Sequence, residues 1–254
     1  MEQLRSPFQG VYNILRFNWH FYVLAIDFVM LLILSNYLLP QVYHSLMLIA
    51  ALLISTTIVT SLSVSCYIYD LSGFYKLDWL NGPSILANSN LININAGFDE
   101  ISHLLKIKYP ELNLMVCDFY EPLRHTEISI KRARKAYLPY EGTLQINTVA
   151  ISLLNDYADN ILLVFSAHEI RNKSERDNFF AELKRILKPG GKIILVEHLR
   201  DIPNFMAYNF GSFHFISVAS WYSTFKTAGL RIYSEEKITP FITKFILEDN
   251  GTEY

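Results

Sequence analysis

The chain has 254 residues, with 22 basic and 24 acidic side chains, so its charge gives no reason to expect a nucleic-acid partner. Its two cysteines, Cys66 and Cys117, lie in unrelated contexts, which argues against a disulfide framework and for a reducing compartment. The length allows one large domain or a domain with an appendage, and the uneven distribution of apolar residues favours the second.

Two long apolar segments lie near the N-terminus, at about residues 19–39 and 42–64. The first contains one charged residue, Asp27, and the second contains none. At about 1.5 Å per residue, each is long enough for a helix to cross a hydrocarbon core of about 30 Å. We therefore predict a transmembrane hairpin within residues 1–66, with the bilayer as its partner. The alternative is a pair of buried core helices in a soluble fold.

The charges beside the hairpin predict its orientation. Arg5 and Arg16 precede the first segment, and the turn near Pro40 carries no Lys or Arg, which places everything after the hairpin in the cytoplasm. We expect an integral membrane protein, of the inner (cytoplasmic) membrane if bacterial, with a cytoplasmic catalytic domain. Asp27 should face the second helix, a wet cavity or a bound head group, because a charge in lipid is costly.

Residues 67–88 are rich in Tyr, Phe and Trp and are interrupted by single acidic residues. Aromatic side chains with one polar end favour the membrane interface, so we interpret this segment as an interfacial linker. The alternative is a first helical segment packed on the core of the following domain.

Residues 89–254 alternate between apolar runs and amphipathic segments. The pattern predicts strands at about 91–95, 112–117, 144–147, 160–165 and 192–197, helices at about 99–108, 176–187 and 220–228, and two final strands. Such alternation indicates a Rossmann-like α/β domain with a doubly wound sheet. The basic run KRARK, at 131–135, is interpreted as a solvated helix face.

The stretch LININAGFDE, at 91–100, has the outline of a nucleotide-binding turn with a single glycine, Gly97. Backbone N–H groups at the start of the following helix would favour an anion, and Asp118, at the end of the next strand, is placed to accept hydrogen bonds from a ribose diol. Many α/β proteins have a lone glycine turn and a later acid by chance, so this pattern alone decides nothing.

The segment from Tyr157 to Asp201 is more specific. Asp159 opens a strand, the polar turn SAHEIR follows at 166–171, and an amphipathic helix ends in LKPGG at 187–191. These features resemble class I S-adenosylmethionine-dependent methyltransferases, especially the ubiquinone and menaquinone biosynthesis enzymes of the methyltransferase type 11 group. The resemblance extends from about residue 91 to the C-terminus and implies a seven-stranded sheet, with the hairpin outside it.

The resemblance also implies S-adenosylmethionine as the cofactor and assigns residues to it. The implied cofactor residues are Asn93, Asn95 and Gly97 for the methionine portion, Asp118 and Phe119 for the ribose and adenine, Asn147 and Thr148 for the adenine edge, and Ser166 for the floor. Family members usually have glycine where this chain has Asn95 and Asp99. Asparagine tolerates a left-handed backbone angle, and Asp99 could contact the positive methionine end.

Two polar clusters follow the fourth and fifth predicted strands. The candidate catalytic residues are His168, Glu169 and Arg171 in the first cluster, and Glu197 and His198 in the second. Either histidine could be a general base whose tautomer is fixed by a glutamate, and Arg171 could bind an anionic head group. Ion pairs and helix caps are the alternative. His214 is a third candidate, and because these histidines show no compact ligand spacing we expect no metal site.

The sequence therefore favours a membrane-anchored methyltransferase acting on a lipid-soluble acceptor. Quinone precursors, lipid phenols, aromatic polyenes and phospholipid amines fit this description, and pairing of hairpins into a homodimer stays open. The alternative is a non-catalytic membrane scaffold with a degenerate methyltransferase fold, which Asn95 and Asp99 favour. A dinucleotide-dependent dehydrogenase fits poorly, because Asp99 would repel a pyrophosphate.

Overall fold

The structure is a computed structural model that describes residues 5–80, 88–125 and 127–251. Its helices are α1 (Gln9–Ser35), α2 (His44–Cys66), α3 (Ser102–Lys108), α4 (Ile128–Ala136), α5 (Lys173–Ile186), α6 (Ile202–Tyr208) and α7 (Val218–Thr227). Its strands are β1 (Asn90–Asn95), β2 (Asn113–Asp118), β3 (Leu144–Gln145), β4 (Ala158–Val164), β5 (Leu187–His198), β6 (Leu230–Thr239) and β7 (Ile242–Asp249).

The seven strands form one sheet in the order β3-β2-β1-β4-β5-β7-β6. The first five strands in this order are parallel, and β7 runs antiparallel to both β5 and β6. The apolar runs of β4 and β5 are buried because helices cover both faces of the sheet. The predicted Rossmann-like, doubly wound sheet is confirmed, and it brings the carboxyl ends of β1, β2, β4 and β5 to one edge.

Helices α1 and α2 are long and apolar enough to cross a membrane by length and composition. Only 6% of the most apolar window of each helix is buried, so neither helix lies in the core of the fold as the structure describes it. Asp27 is exposed on α1. The sequence allowed a partner helix, a wet cavity or a bound head group as its surroundings, and these alternatives stay untested.

Helix α1 begins about ten residues before the predicted apolar span because its first part packs on the domain. Gly10, Asn13 and Phe17 are its buried residues. The Asp70 carboxylate accepts hydrogen bonds from the backbone N–H groups of Gly10, at 2.8 Å, and Val11, at 2.9 Å. Any Cβ at position 10 would overlap the Tyr69 side chain, so glycine permits this close approach.

The segment predicted to be an interfacial linker packs instead on the sheet. Ile68, Phe74, Leu77 and Leu80 are buried and belong to the same apolar cluster as Leu91 of β1. Packing on the core, the alternative reading of this segment, therefore matches the structure. Residues 81–87 of the predicted linker lie outside the described residues.

Candidate active site

The turn after β1 is built around Gly97. Its φ of +89° is left-handed, and its N–H donates to the side-chain oxygen of Asn95 at 2.9 Å. Asn95 itself belongs to β1, so the left-handed angle expected at this position falls on Gly97 instead. Asn95 thus closes the turn through its side chain.

Asp99 has a different role from a family glycine. Its Oδ1 accepts hydrogen bonds from the N–H groups of Ile101, at 2.9 Å, and Ser102, at 3.0 Å. The predicted anion-binding helix start is therefore wrong, because the chain's own carboxylate already uses these donors. The other oxygen, Oδ2, is buried and has no hydrogen-bond partner in the described structure. A buried anionic oxygen without a donor favours a positively charged group in the neighbouring space.

Asp118 lies at the end of β2, where its Oδ1 accepts a hydrogen bond from the Tyr120 N–H at 2.8 Å. Its Oδ2 forms an ion pair with Arg134 Nη1 of α4 at 2.5 Å. Arg134 also covers the turn, because a Cβ added to Gly97 would lie 2.5 Å from Nη1. The remaining pocket between the turn and Asp118 has a volume of about 50 Å³. Ligand pockets typically have volumes of about 300–1,000 Å³, so Arg134 fills much of this one.

The KRARK run was predicted to be a solvated helix face, yet two of its arginines also contact other elements of the fold. Arg134 pairs with Asp118, and Arg132 donates a hydrogen bond to the Phe17 carbonyl of α1 at 2.6 Å. Basic residues that contact a ligand site and basic residues that face solvent look alike in such a run, so the sequence could not separate them.

Two other predicted cofactor residues form hydrogen bonds next to the turn. Ser166 donates to the Ile94 carbonyl at 2.9 Å and so ties the end of β4 to β1, while its role as the floor of the cofactor site stays a prediction. Asn93 is buried, and its amide donates to the Ser102 hydroxyl at 2.8 Å. Asn93 therefore anchors the turn to α3 and does not line the small pocket.

The remaining predicted cofactor residues lie away from the pocket. Phe119 is buried against Phe179, with ring centroids 5.4 Å apart. Thr148 donates to Glu175 of α5 at 2.6 Å, and Asn147 is exposed. The structure thus brings together Asn95, Gly97 and Asp118, and the adenine contacts stay predictions.

A second cavity, of about 780 Å³, lies between the hairpin and the sheet edge. Both membrane-length helices, α4, and the segments after β4 and β5 form its walls. The lining side chains include Phe17, Phe21, Ala25, Ile58 and Ser61 from the hairpin, and Glu100, His168, Glu169, His198 and His214 from the domain. Phe98 lines both this cavity and the small pocket, so the two spaces are neighbours.

His168 lies between two carboxylates. Its Nδ1 is 2.7 Å from Glu197 Oε2, and its Nε2 is 3.3 Å from Glu169 Oε1. Burial lowers the pKa of His168, but the charges and hydrogen bonds of the two carboxylates outweigh it and raise the pKa to about 10. His168 is therefore an imidazolium at neutral pH when protons alone occupy the site, and in that state it is not a general base.

His198 is neutral for the opposite reason. Burial, and then the charge of His168, lower its pKa to about 4. Its Nε2 lies 2.9 Å from the Tyr69 hydroxyl and its Nδ1 lies 3.0 Å from the Phe241 carbonyl. Both ring nitrogens are thus occupied, and Glu197 orients His168 instead of its chain neighbour His198. Neither histidine is presented as a free base.

Arg171 and His214 meet at the rim of the cavity. Arg171 is exposed, donates to the His214 carbonyl at 2.5 Å, and contacts the His214 ring. Glu127, which the sequence did not single out, lies 3.4 Å from both the Arg171 guanidinium and His214 Nδ1. Glu127 directly precedes α4. The sequence indicates this helix only through the spacing of Ile130, Ala133 and Tyr137.

Residues 97–195 match the family model described as a methyltransferase domain. The fold is that of class I methyltransferases. An S-adenosylmethionine-dependent methyltransferase structure from Aquifex aeolicus aligns with a TM-score of 0.51 and 16% identity, over 71% of this chain and 94% of that chain. Human N-acetylserotonin methyltransferase, in complex with S-adenosylmethionine, aligns with a TM-score of 0.51 and 14% identity, over 72% and 52% of the two chains.

Part of the chain is also similar in sequence to a curated methyltransferase. The ubiquinone/menaquinone biosynthesis C-methyltransferase UbiE of Erwinia tasmaniensis is 34% identical over 88 residues. The chain spans about a third of that relative's length, 34%. These comparisons agree with the predicted class I methyltransferase and with S-adenosylmethionine as its cofactor, and the hairpin lies outside the matched domain.

Proposed function

We propose that this protein is an S-adenosylmethionine-dependent methyltransferase that takes a lipid-soluble acceptor from the membrane. The observation that carries the proposal is the 780 Å³ cavity, whose walls combine the two apolar helices with the polar ends of β4 and β5. A cavity of this size suits a small molecule, and its neighbour across Phe98 is the turn after β1.

The residues at the turn fit the charges of the cofactor. The unpartnered Asp99 Oδ2 suits the sulfonium or ammonium of the methionine portion, and the Asp118 carboxylate suits the ribose hydroxyls. Arg134 must leave Asp118 before these contacts form, because it now fills the space between them. Cofactor entry therefore requires a movement of the Arg134 side chain or of α4.

The acceptor side supports a lipid-phase molecule. Phe21, Ala25 and Ser61 line the cavity and lie within the two apolar spans, so in a bilayer this wall would stand at the depth of the hydrocarbon. An acceptor entering there need not cross water. The polar end of the cavity, with His168 and Glu169, would then hold the head group that receives the methyl group.

When bound, S-adenosylmethionine supplies an activated methyl group, whose transfer to the acceptor nucleophile breaks the carbon–sulfur bond and leaves S-adenosylhomocysteine. The chain's own contribution is to hold the nucleophile in line, and orientation of this kind accounts for several kcal/mol of a barrier. Phe17, Phe98 and Phe165 line the cavity and would give the transfer path an apolar wall.

A non-catalytic scaffold is the second candidate, and one observation favours it. The Arg134–Asp118 ion pair reduces the cofactor pocket to about 50 Å³, which is the arrangement expected of a site that has stopped binding its ligand. The buried Asp99 Oδ2 favours the enzyme instead, because a relic would have no reason to keep an unpaired buried carboxylate oxygen.

The deciding experiment is calorimetric titration of S-adenosylmethionine and S-adenosylhomocysteine into the detergent-purified full chain. Saturable binding establishes the cofactor site, and no binding by the folded protein makes the scaffold the leading candidate. Radiolabelled methyl donor is then supplied with a membrane lipid extract or with a pool of polar metabolites. Label entering only the polar pool would refute the lipid-soluble acceptor.

A further inference from the structure

Three side chains at the polar end of the cavity have the separations of metal ligands. His168 Nε2 lies 3.3 Å from Glu169 Oε1, and His214 Nε2 lies 3.5 Å from the same oxygen. All three ligand atoms lie within 4.8 Å of one another. A tetrahedral ion with bonds of about 2.0–2.2 Å holds its ligand atoms about 3.4 Å apart, which both histidine–glutamate distances match, whereas the two histidine nitrogens lie within 4.8 Å of each other and must approach to that distance.

A buried carboxylate holds His168 in the orientation that a metal ligand needs. Glu197 is fully buried, and its Oε2 lies 2.7 Å from Nδ1 of His168. This contact directs the Nε2 lone pair of a neutral His168 toward Glu169 and His214. A histidine held through its other nitrogen by a carboxylate is the usual arrangement around a bound metal.

The charge of the cluster also calls for a cation. Three carboxylates, Glu127, Glu169 and Glu197, surround the two imidazoles, whereas the guanidinium in contact with them is that of Arg171. Arg171 is exposed, so it can swing away from His214 when another cation enters. Protons on the imidazoles are the competing way to balance this charge.

We propose that His168, Glu169 and His214 form a binding site for a divalent transition-metal ion, with Glu197 as the residue that positions His168. Two imidazoles and one carboxylate suit zinc and its first-row neighbours. The sequence predicted no metal site because His214 lies 46 residues after His168, on the other side of β5 and α6.

The site would face the acceptor. Catalytic zinc sites have three protein ligands and keep a fourth position for water or substrate. Because all three ligands line the large cavity, an oxygen of the acceptor would fill that position. This last step rests on the proposed function, whereas metal binding itself does not.

The test uses the full-length protein in detergent, stripped with a chelator and titrated with Co²⁺ in the absence of methyl donor and acceptor. We expect one equivalent to bind, with the strong visible absorption of tetrahedral Co²⁺, and Zn²⁺ to displace it. Failure of the methyltransferase proposal would not affect this readout. Absence of stoichiometric binding by the folded chain would overturn the metal site and leave an imidazolium at His168.

Two variants and a control sharpen the test. His214→Ala should lose the spectrum, whereas His103→Ala, an exposed histidine of α3, should keep it. Equal binding by both variants would mean adventitious metal only and would overturn the proposal. Glu197→Gln should weaken Co²⁺ binding about 10- to 100-fold, because the carboxylate no longer orients His168. Unchanged affinity in Glu197→Gln would refute the positioning role.

Discussion

The two spaces at the carboxyl edge of the sheet differ in how they are filled. The pocket proposed for the cofactor is about 50 Å³ and is covered by Arg134, whereas the cavity proposed for the acceptor, beside it, is about 780 Å³ and is lined by the hairpin. The first is limited by one side chain that an ion pair holds in place. The second is lined by residues of several helices and loops.

This difference suggests an order of events. The acceptor cavity is formed before any ligand arrives, while the cofactor pocket has to exchange an internal cation–carboxylate contact for contacts with the cofactor. Cofactor affinity should therefore depend strongly on Asp118 and Arg134, and acceptor use should depend on the shape of the hairpin wall.

The largest effect is expected for Asp118→Ala. Loss of two charge-assisted hydrogen bonds to the ribose should weaken S-adenosylmethionine binding by about 3 kcal/mol or more, roughly 100-fold, as measured by calorimetry. Asp78→Ala removes an exposed carboxylate that pairs with Lys108 outside both cavities and serves as the matched control. Equal affinities for the two variants would remove Asp118 from the cofactor site.

A larger side chain in the hairpin wall should reduce methyl transfer without reducing cofactor binding. Ala25 lines the acceptor cavity, whereas its neighbour Leu24 is 64% exposed on the outer surface of α1. We expect Ala25→Phe to lower kcat/KM for the lipid acceptor by about tenfold or more. The larger ring would overpack the cavity when the acceptor is bound, and overpacking costs about 1–3 kcal/mol. Leu24→Phe should be neutral, and a similar loss in both would separate the hairpin from acceptor binding.

Removal of the guanidinium over the turn should improve cofactor binding. Arg134→Gln breaks the ion pair with Asp118 and frees space above Gly97, so we expect S-adenosylmethionine affinity to rise about fivefold, corresponding to an ion pair of about 1 kcal/mol. Lys135→Gln, on the exposed face of the same helix, controls for the change in charge. Weaker binding in Arg134→Gln would mean that the arginine is a cofactor ligand.

The smallest effect compares two left-handed glycines. Gly97→Ala meets Arg134 and Tyr120, whereas Gly142→Ala, with φ of +77°, meets nothing within 4 Å. Both substitutions strain the backbone by about 1 kcal/mol. The difference between their losses of unfolding free energy therefore reports the crowding at position 97 alone, and we expect Gly97→Ala to lose about 1 kcal/mol more. Denaturant titration measures it, and equal losses would show that Arg134 moves away freely.

Much of the fold was readable because its elements are set by local patterns. The apolar run before Phe165 and the amphipathic helix after it predicted β4 and α5 to within about three residues, whereas the LKPGG segment, expected as a turn before a strand at 192–197, is itself the start of β5 at Leu187. The start of α1 was missed because Gly10, Asn13 and Phe17 are buried against the domain, a contact that appears only in three dimensions. The aromatic segment after α2 was assigned to the membrane interface for a similar reason. Aromatic residues are common both at a membrane interface and in a protein core, so the sequence alone does not separate the two positions.

The candidate site was readable in part. Gly97, Asp118 and the residues after β4 were found because strand ends of a parallel sheet meet at one edge. Arg134 was not, because it reaches the site from a segment whose position no local pattern fixes, and His214 was named as a candidate without its contacts to Glu169 and Arg171. The proposed metal site at His168 depends on the proximity of His214, which the sequence does not show.

Glu100 connects the start of α1 to the turn after β1. It lies three residues after Gly97, forms an ion pair with Arg5 just before α1 at 2.8 Å, and accepts a hydrogen bond from Tyr75 at 2.8 Å. Helix α1 is tied to the turn at one end, and under the proposed function its other end would be surrounded by lipid, so a change in its tilt would displace the turn. Bilayer thickness would then alter cofactor affinity, which a comparison of bilayers of different acyl-chain length would test.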